Sequence, residues 1–340
     1  MTLLGTDLPI LLAPMAGAAG SELAIAVSEE GGLGALPCAM LSPEQIRAEV
    51  AVFRAQRARP INLNFFVHQT PIIDPDRARL WRDRVAKYYA ELGVARPEGP
   101  GPTRNPFDES SCAIVEELRP EVVSFHFGLP APALLDRVKK AGAKVLSSAT
   151  TVEEAKWLAS RGCDAIIAQG AEAGGHRAMF LTDDVASQIG LFALLPQVVD
   201  AVSVPVIAAG GIADARGVAA AFALGASAVQ VGTAFLLCPE SKIPPSHRLA
   251  LMRAASDATV LTNVFTGRPA RGIRNRFVTD LGPLSPDAPE FPLAAIETGP
   301  LRATGNADVL PLWCGQASAL VRTSTSAADL TRALARGLKY

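Results

Sequence analysis

Residues 204–233 read VPVIAAGGIADARGVAAAFALGASAVQVGT, and this stretch decides the fold. An apolar run, Val204–Ala209, ends in Gly210 and Gly211; a helical pattern follows, and a second apolar run starts at Ala228. Strands that are apolar at nearly every position, rather than at alternate positions, are typical of parallel strands covered on both faces. The stretch therefore predicts a strand, a helix and the next strand of a parallel sheet.

The same arrangement recurs along the chain. Arg161-Gly-Cys-Asp-Ala165 and Leu224-Gly-Ala-Ser-Ala228 both place a glycine between a helical pattern and a strand, as a left-handed helix C-cap requires. Eight strands with helices between them predict an α/β fold, a TIM (β/α)8 barrel, with a doubly wound sheet as the alternative that periodicity does not exclude. The predicted strands are Ile10–Ala13, Leu33–Leu36, Ile61–Phe65, Val122–Phe127, Lys144–Ser148, Ala165–Gln169, Val204–Ala209 and Ala228–Leu236.

The alternation of strands and helices stops after residue 240. Residues 283–292, PLSPDAPEFP, carry four prolines, and helical patterns return near Pro311–Val321 and Ala327–Leu338. We therefore predict two domains, the barrel over residues 1–245 and a C-terminal, mainly helical cap over residues 246–340. A further proline-rich loop is predicted over residues 96–107.

Composition and charge exclude several classes of protein. The 340 residues are 49% hydrophobic with a mean hydropathy of +0.24, which excludes global disorder. The net charge of −1 leaves no basic surplus for a nucleic acid or an anionic membrane, so neither is expected as a partner. The uncharged stretch Gly217–Cys238 is divided by Gly225 and diluted by Gln230 and Thr233, which indicates a buried helix and strand rather than a membrane span. Five widely separated cysteines without a C-x-x-C pattern predict reduced thiols in a cytoplasmic protein.

Chemically informative residues follow the predicted strands, where a barrel enzyme builds its site. The glycines at 210 and 211 would let backbone N–H groups approach an anion, and the segment after the eighth strand could add donors. Together they predict a phosphate site, whereas the glycine pair alone could be a tight turn. The residues concerned are Met15, Asn64, His126, Gln169, Gly174 and His176, with Gly210, Gly211, Gly232 and Thr233 at the predicted phosphate site.

The sequence holds four histidines. His126 and His176 come at predicted strand ends, and an imidazole there could take a proton or stabilise an anion. His68 and His247 have no such context and are assigned to the surface. No metal site is predicted, because no H-x-x-H, H-E-x-x-H or Cys/His cluster occurs, and neither a G-x-S-x-G elbow nor a G-x-G-x-x-G fingerprint is present.

These motifs together resemble the nitronate monooxygenase family, formerly called 2-nitropropane dioxygenases, and most closely its class I bacterial type. The resemblance covers nearly the whole chain. The matching stretches are Ala13–Gly17 (APMAG), Ala26–Gly34, Asn62–Phe66, Val123–Pro130 (VSFHFGLP), Gln169–Arg177 (QGAEAGGHR), Ala208–Ile212, Gln230–Thr233 and Leu312–Gln316.

The resemblance implies a TIM-barrel flavoenzyme with FMN across the rim of the barrel. It implies that an alkyl nitronate, with propionate 3-nitronate as the expected substrate, gives one electron to FMN and that O2 completes the oxidation to a carbonyl compound and nitrite or nitrate. His176 would be catalytic and His126 would lie beside the substrate. Met15, Asn64, Gln169 and Gly174 would contact the flavin, whose phosphate would be held by Gly210, Gly211, Gln230, Val231, Gly232 and Thr233. The partners implied are a small anionic nitronate and O2.

Three other functions remain open from the residues alone. A relative on the same barrel could oxidise NAD(P)H and reduce a quinone or an enoyl thioester with FMN. A non-catalytic flavin-binding protein is a second alternative. A flavin-free lyase or aldolase would need a Schiff-base lysine, and Lys144, at the start of its predicted strand, is on the wrong side of the barrel.

Overall fold

The computed structural model describes residues 4–56, 59–97 and 105–339, so residues 98–104 of the predicted 96–107 loop lie outside the described residues. Eight parallel strands form the barrel: β1 Ile10–Leu12, β2 Gly34–Pro37, β3 Ile61–Phe66, β4 Val122–His126, β5 Lys144–Ala149, β6 Ala165–Gln169, β8 Val206–Ala209 and β9 Ala228–Val231. Their order is β1-β9-β8-β6-β5-β4-β3-β2, and a bridge between Leu11 and Leu33 joins the two edges. The predicted barrel is confirmed.

A ring of helices covers the barrel, as the two-sided apolar pattern of the strands requires. The ring is completed by the last helix of the chain, α12, which packs against α1 and α8. A helix from the far end of the sequence therefore belongs to the barrel layer rather than to the region above it. The ring helices are α1 Ser21–Glu29, α2 Pro43–Arg54, α4 Glu109–Leu118, α5 Pro132–Lys140, α6 Val152–Ser160, α7 Leu191–Ala201, α8 Ala215–Ala223 and α12 Ala327–Ala335.

The eighth barrel strand is shorter than predicted. It ends at Val231, and residues Thr233–Leu237 form a 3-10 turn instead of extended chain. Gly232 adopts φ −117° and ψ −75°, which ends the strand, and its carbonyl accepts a hydrogen bond from the Phe235 amide. The apolar run in the sequence continues past the strand because the turn is also buried. Hydrophobicity alone therefore could not show where the strand ends and the turn begins.

A second, smaller hydrophobic core lies above the barrel. Trp81, Val85 and Tyr88 pack there with Phe277 and Leu301. Only a 3-10 turn, Gln316–Leu320, forms within the predicted helical segment Pro311–Val321. The elements of this region are α3 Pro75–Leu92, α9 Pro245–Arg253, the hairpin strands β10 Thr259–Thr262 and β11 Ala270–Ile273, α10 Arg276–Leu281 and α11 Ala294–Ala303.

Helix α3 lies between β3 and β4 in the chain, yet it packs against α11 near the C-terminus. Asp74 caps its first turn and Gly93, at φ +64°, ends it, which is the usual chemistry of helix termini. Ion pairs hold α3 in place: Arg82 lies 2.8 Å from Glu297, and Lys87 lies 2.7 Å from Asp280. The cap is therefore built from two distant parts of the sequence.

Among the helices of the described residues, none is both long enough and apolar enough to cross a membrane. All five cysteines are buried and none forms a disulfide. Burial raises the pKa of the Cys38 thiol to about 12, and that of Cys314 likewise, so both stay protonated at neutral pH. These thiols act as small packing groups.

Candidate active site

A cavity of about 310 Å³ opens at the end of the barrel where the strands finish. The cap forms its opposite wall through Arg302, Trp313 and Cys314. Of the residues predicted for the site, only Val231 does not line it; its side chain is 1% exposed and packs into the core outside the barrel. The predicted residues that do line it are Met15, Asn64, His126, Gln169, Gly174, His176, Gly210, Gly211, Gln230, Gly232 and Thr233.

The glycine pair after β8 adopts left-handed backbone conformations, with φ +112° at Gly210 and +71° at Gly211. A Cβ atom at Gly210 would lie 3.1 Å from the backbone nitrogen of Ala173, so a larger residue would be both strained and crowded. The Glu172 side chain lies beside Gly211, and its carboxylate accepts a hydrogen bond of 2.9 Å from the Leu191 amide at the start of α7. The amides of Gly210 and Gly211 make no hydrogen bond among the described residues, so they are available to an anion.

Thr233 ties this part of the site to the C-terminal tail. Its hydroxyl oxygen accepts a hydrogen bond of 2.8 Å from the Gly315 amide. Gly174 and Gly315 face each other so closely that a Cβ atom at Gly174 would lie 2.5 Å from the Cys314 carbonyl carbon. The tail therefore crosses the loop after β6, and both glycines are required by that close approach.

His126 ends β4 and is neutral. Burial, together with the nearby positive charges of Arg268 and Arg177, lowers its pKa to about 3. Its Nε2 lies 3.2 Å from the carbonyl oxygen of His176. Because a carbonyl can only accept, Nε2 carries the proton and Nδ1 keeps its lone pair. The next residue, Phe127, adopts φ +76°, a strained conformation for a large side chain that often marks functional sites.

His176 lies in β7, the two-residue strand Gly175–His176, which pairs with β11 of the cap hairpin. Its Nε2 lies 2.9 Å from the hydroxyl oxygen of Thr266. Aromatic rings surround the imidazole, with the Phe291 ring centre at 5.3 Å and the Trp313 ring centre at 5.8 Å. His176 is thus held by strand pairing, by a hydroxyl and by a largely apolar cage, and not by a free glycine loop.

Two residues that the sequence did not mark as part of the site, Arg177 and Glu154, hold the loop after β6. Arg177 is fully buried, and its guanidinium donates to the carbonyls of Gln169 and Gly170. The Glu154 carboxylate accepts from the Phe180 and Leu181 amides and from the Thr150 amide. Thr151 caps helix α6 by accepting a hydrogen bond of 3.2 Å from the Glu154 amide, while the Glu154 side chain holds the loop.

Gln169 is used in the same scaffold. Its Nε2 donates to the His176 carbonyl at 3.1 Å, and its Oε1 accepts from the Ala178 amide at 2.9 Å. The amide therefore fixes the two residues on either side of Arg177. Gln230 is different, since its Oε1 is buried with no hydrogen-bond partner among the described residues and lines the cavity.

The assignment of His68 and His247 to the surface was wrong. His68 is 5% exposed and stacks edge-on against Phe291, 4.8 Å between ring centres. His247 is 6% exposed, lines the cavity, and its Nε2 has no hydrogen-bond partner among the described residues. Burial lowers the pKa of His247 to about 4. Both were misassigned because the cap that buries them has no periodic sequence pattern.

Within the part of the chain that the structure describes, no group of three or more His, Cys, Asp or Glu side chains could hold a metal ion. The polar groups that converge on the cavity include the imidazoles of His126, His176 and His247, the guanidinium of Arg302 and the glycine backbone after β8. Such a site can bind an anionic group by backbone N–H donors. At His176 it can transfer a proton or balance a negative charge.

Comparison with known proteins matches the chain along its length. The family model described as nitronate monooxygenase matches residues 1–337. A nitronate monooxygenase of Pseudomonas aeruginosa is 41% identical over 348 residues, covering 99% of this chain and 98% of that protein. One of Paraburkholderia phytofirmans is 40% identical over 347 residues, covering 100% of this chain and 94% of that protein.

Solved structures show the same fold. The nitroalkane oxidase of Streptomyces ansochromogenes superposes with a TM-score of 0.90 at 37% identity, covering 98% of this chain and 96% of that one. FabK of Thermotoga maritima superposes with a TM-score of 0.75 at 30% identity, covering 99% and 94%. Both similarities extend over barrel and cap together.

Proposed function

Because the chain belongs to the nitronate monooxygenase family, a family of flavin-dependent oxidoreductases, we propose that it binds FMN and oxidises alkyl nitronates with O2. Propionate 3-nitronate is the substrate proposed, with a carbonyl compound and nitrite or nitrate as products. The observation that carries the proposal is that one cavity is lined both by the open glycine pair at Gly210 and Gly211 and by His176. A cofactor phosphate and a reacting group can therefore share it.

The residues present fit FMN. The glycine pair offers backbone donors to a phosphate, and the buried, unpartnered Oε1 of Gln230 needs a donor that a ribityl hydroxyl or a flavin N–H would supply. Asn64 fits less freely, because its Nδ2 already donates to the Ser124 hydroxyl at 2.9 Å. Gly210, Gly211, Gly232 and Thr233 would hold the phosphate, while Met15, Asn64, Gly174 and Gln230 would line the remainder of the cofactor.

When bound, FMN supplies the electron chemistry between nitronate and O2, and the protein supplies orientation and charge. His176 would balance the negative charge of a nitronate or remove a proton from a neutral nitroalkane. Phe66, Phe291 and Trp313 around it exclude water, which strengthens electrostatic interactions at the imidazole. His126 holds the His176 carbonyl, and its lone-pair Nδ1 cannot donate to a nitronate oxygen, so we assign it to positioning rather than to substrate binding.

A visible absorption spectrum and an anaerobic mixing experiment test the proposal. The purified protein should show a flavin band that propionate 3-nitronate bleaches and that O2 restores with product formation. A colourless protein that also fails to bind added FMN would overturn it. So would rapid bleaching by NADH with none by the nitronate, which is the behaviour of a nicotinamide-dependent reductase.

The His176→Asn variant separates the catalytic role from cofactor binding. We expect it to retain the flavin band, to turn over propionate 3-nitronate more slowly because the substrate charge is no longer balanced, and to lose at least about 100-fold in kcat with a neutral nitroalkane, the range of a lost general base. Full nitronate turnover by this variant would remove the assignment of His176 and favour a site that uses only bound flavin.

A further inference from the structure

Arg302 stands where two cavities meet. It lies in α11 and lines the site cavity as well as a second cavity of about 720 Å³. The side chains that line both cavities are Ala39, Met40, Phe66 and Arg302. Met40 lies just after β2, and Phe66 is the last residue of β3, so this junction lies next to those two strands.

The guanidinium of Arg302 makes no hydrogen bond and no ion pair with any of the described residues, and the residue is partly buried. Burial lowers its pKa, and no carboxylate among the described residues opposes that shift. Its neighbours behave differently: on the same helix Glu297 pairs with Arg82, and in the preceding helix Arg276 pairs with Glu91. A desolvated cation without a counter-charge destabilises the folded protein unless a bound anion neutralises it.

The cofactor phosphate is not that anion. The glycine pair that would receive the phosphate follows β8, whereas the junction lies beside β2 and β3. In the barrel order, β6, β5 and β4 separate β8 from β3 on one side, and β9 and β1 separate it from β2 on the other. Arg302 therefore faces a different part of the rim from Gly210 and Gly211.

Phe66 links Arg302 to the reacting end of the site. Its ring lines both cavities beside Arg302, and its centre lies 6.2 Å from the centre of the His176 ring. Met40 and Ala39 make the other walls apolar. A ligand that reaches from His176 to the guanidinium therefore passes apolar side chains. Its far end should be a carboxylate, because the planar guanidinium binds a carboxylate through two parallel hydrogen bonds.

We propose that Arg302 binds a carboxylate at the far end of the substrate, so that the site selects short nitronates that carry a second anionic group. This inference rests on the proposed function and deepens it, since it gives a reason, from the residues of this chain, why propionate 3-nitronate would fit better than an alkyl nitronate without a carboxylate. Arg302 then acts in substrate specificity, and the chemistry at the nitronate end is left to His176.

The test compares two nitronates of equal chain length, propionate 3-nitronate and propyl 1-nitronate, in the flavin-loaded enzyme. We expect Arg302→Gln to lower the ratio of their kcat/KM values by roughly 30-fold, the strength of one charge-assisted bidentate contact, chiefly through KM of the carboxylated substrate. Arg302→Lys should recover part of the ratio. Arg253→Gln, which removes the same charge from an exposed site in the cap, should leave the ratio unchanged.

Binding without turnover provides the second readout. Calorimetric titration with 3-nitropropionate and with 1-nitropropane should show a preference for the former that Arg302→Gln abolishes. An equal loss for both ligands, or loss of the flavin band in Arg302→Gln, would overturn the proposal by assigning Arg302 to the cofactor. Arg302→Met covers the case in which the Gln variant does not fold. A melting temperature several degrees lower in both variants would show that Arg302 has internal partners, and would also overturn it.

The outcomes distinguish this inference from the proposed function. If the wild-type protein oxidises neither nitronate but still binds 3-nitropropionate through Arg302, the proposed function fails and the carboxylate subsite stands. If it oxidises both nitronates and Arg302→Gln leaves the ratio intact, the subsite fails and the proposed function stands.

Discussion

The Nε2 atom of His176 lies 2.9 Å from Oγ1 of Thr266, ninety positions further along the chain. The threonine hydroxyl also lies 3.5 Å from the Arg268 carbonyl, to which it can donate. When its proton is directed at that carbonyl, Oγ1 accepts from His176 Nε2–H, and Nδ1 keeps the lone pair. Thr266 is therefore placed to set which ring nitrogen is basic, as the partner of a functional histidine often does.

Thr266→Val should lower kcat with propionate 3-nitronate by about tenfold, because one hydrogen bond that fixes the imidazole is lost. Thr266→Ser retains the hydroxyl and should stay within about twofold of the wild type. Nitrogen-15 shifts of the His176 ring report the tautomer directly and should change in the valine variant only. Equal losses in both variants would show that the threonine methyl group, and so packing, is what matters.

His126 leads to a second prediction. Because its pKa is about 3, it stays neutral through the range in which the enzyme works, and its Nε2–H and Gln169 together hold the His176 carbonyl. His126→Phe should lower kcat by about tenfold, whereas His126→Gln, which keeps a donor at the Nε2 position, should lose less than about threefold. The rate–pH profiles of wild type and His126→Gln should superimpose between about pH 5 and 9. Disappearance of one limb of the profile in His126→Gln would mean that His126 does titrate.

The barrel and its rim could be predicted from sequence because both depend on local pattern. Apolar runs fix the strands, and a residue that follows such a run, like His126 or His176, must come to the same end of a parallel barrel. Helix α3 also had a readable signature: Asp74 and Gly93 mark its ends, and Trp81, Val85 and Tyr88 recur at helical spacing.

The cap's contribution could not be predicted in this way. Arg302, Thr266 and Trp313 reach the site only because residues distant in the chain pack together. No periodic sequence pattern in residues 254–320 indicates this packing. The same packing buries His247. The proposed division into residues 1–245 and 246–340 has a related difficulty, since α3 from the first part packs with the cap and α12 from the second completes the ring. Long-range packing overrides the order of the sequence at these points.

The burial of His247 predicts how stability depends on pH. Its pKa is about 4 in the folded protein, whereas an unfolded histidine titrates near 6.5. As pH falls from about 6.5 towards 4, the unfolded chain takes up a proton that the folded protein does not, so stability is lost by about 1.4 kcal/mol per pH unit. Above about 6.5 the imidazole is neutral in both states and its contribution is constant.

His247→Phe should remove this contribution. The free energy of unfolding, measured by urea titration of the flavin-loaded protein, should fall less steeply for the variant than for the wild type between pH 6.5 and 4. At pH 8 the difference between the two proteins should no longer depend on pH. Parallel curves over the whole range would show that His247 is solvated in the folded protein.

The glycine pair after β8 provides the last prediction, with a matched control in the chain. Gly210 has φ +112° and Gly142, which ends a helix far from the cavity, has φ +99°. A Cβ atom meets the Ala173 backbone at 3.1 Å in the first case and nothing within 4 Å in the second. Alanine at either position should cost about 1–2 kcal/mol of stability through backbone strain.

Only Gly210→Ala should also weaken FMN binding, by roughly 10- to 100-fold, because its methyl group covers the backbone that a phosphate would approach. Flavin fluorescence on titrating the stripped protein with FMN measures the dissociation constant, and urea unfolding measures the common stability loss. If both variants bind FMN as the wild type does, the phosphate is held elsewhere. If both lose it equally, affinity follows global stability, and the glycine pair has no direct part in binding. A loss confined to Gly210→Ala therefore assigns the phosphate to the backbone after β8.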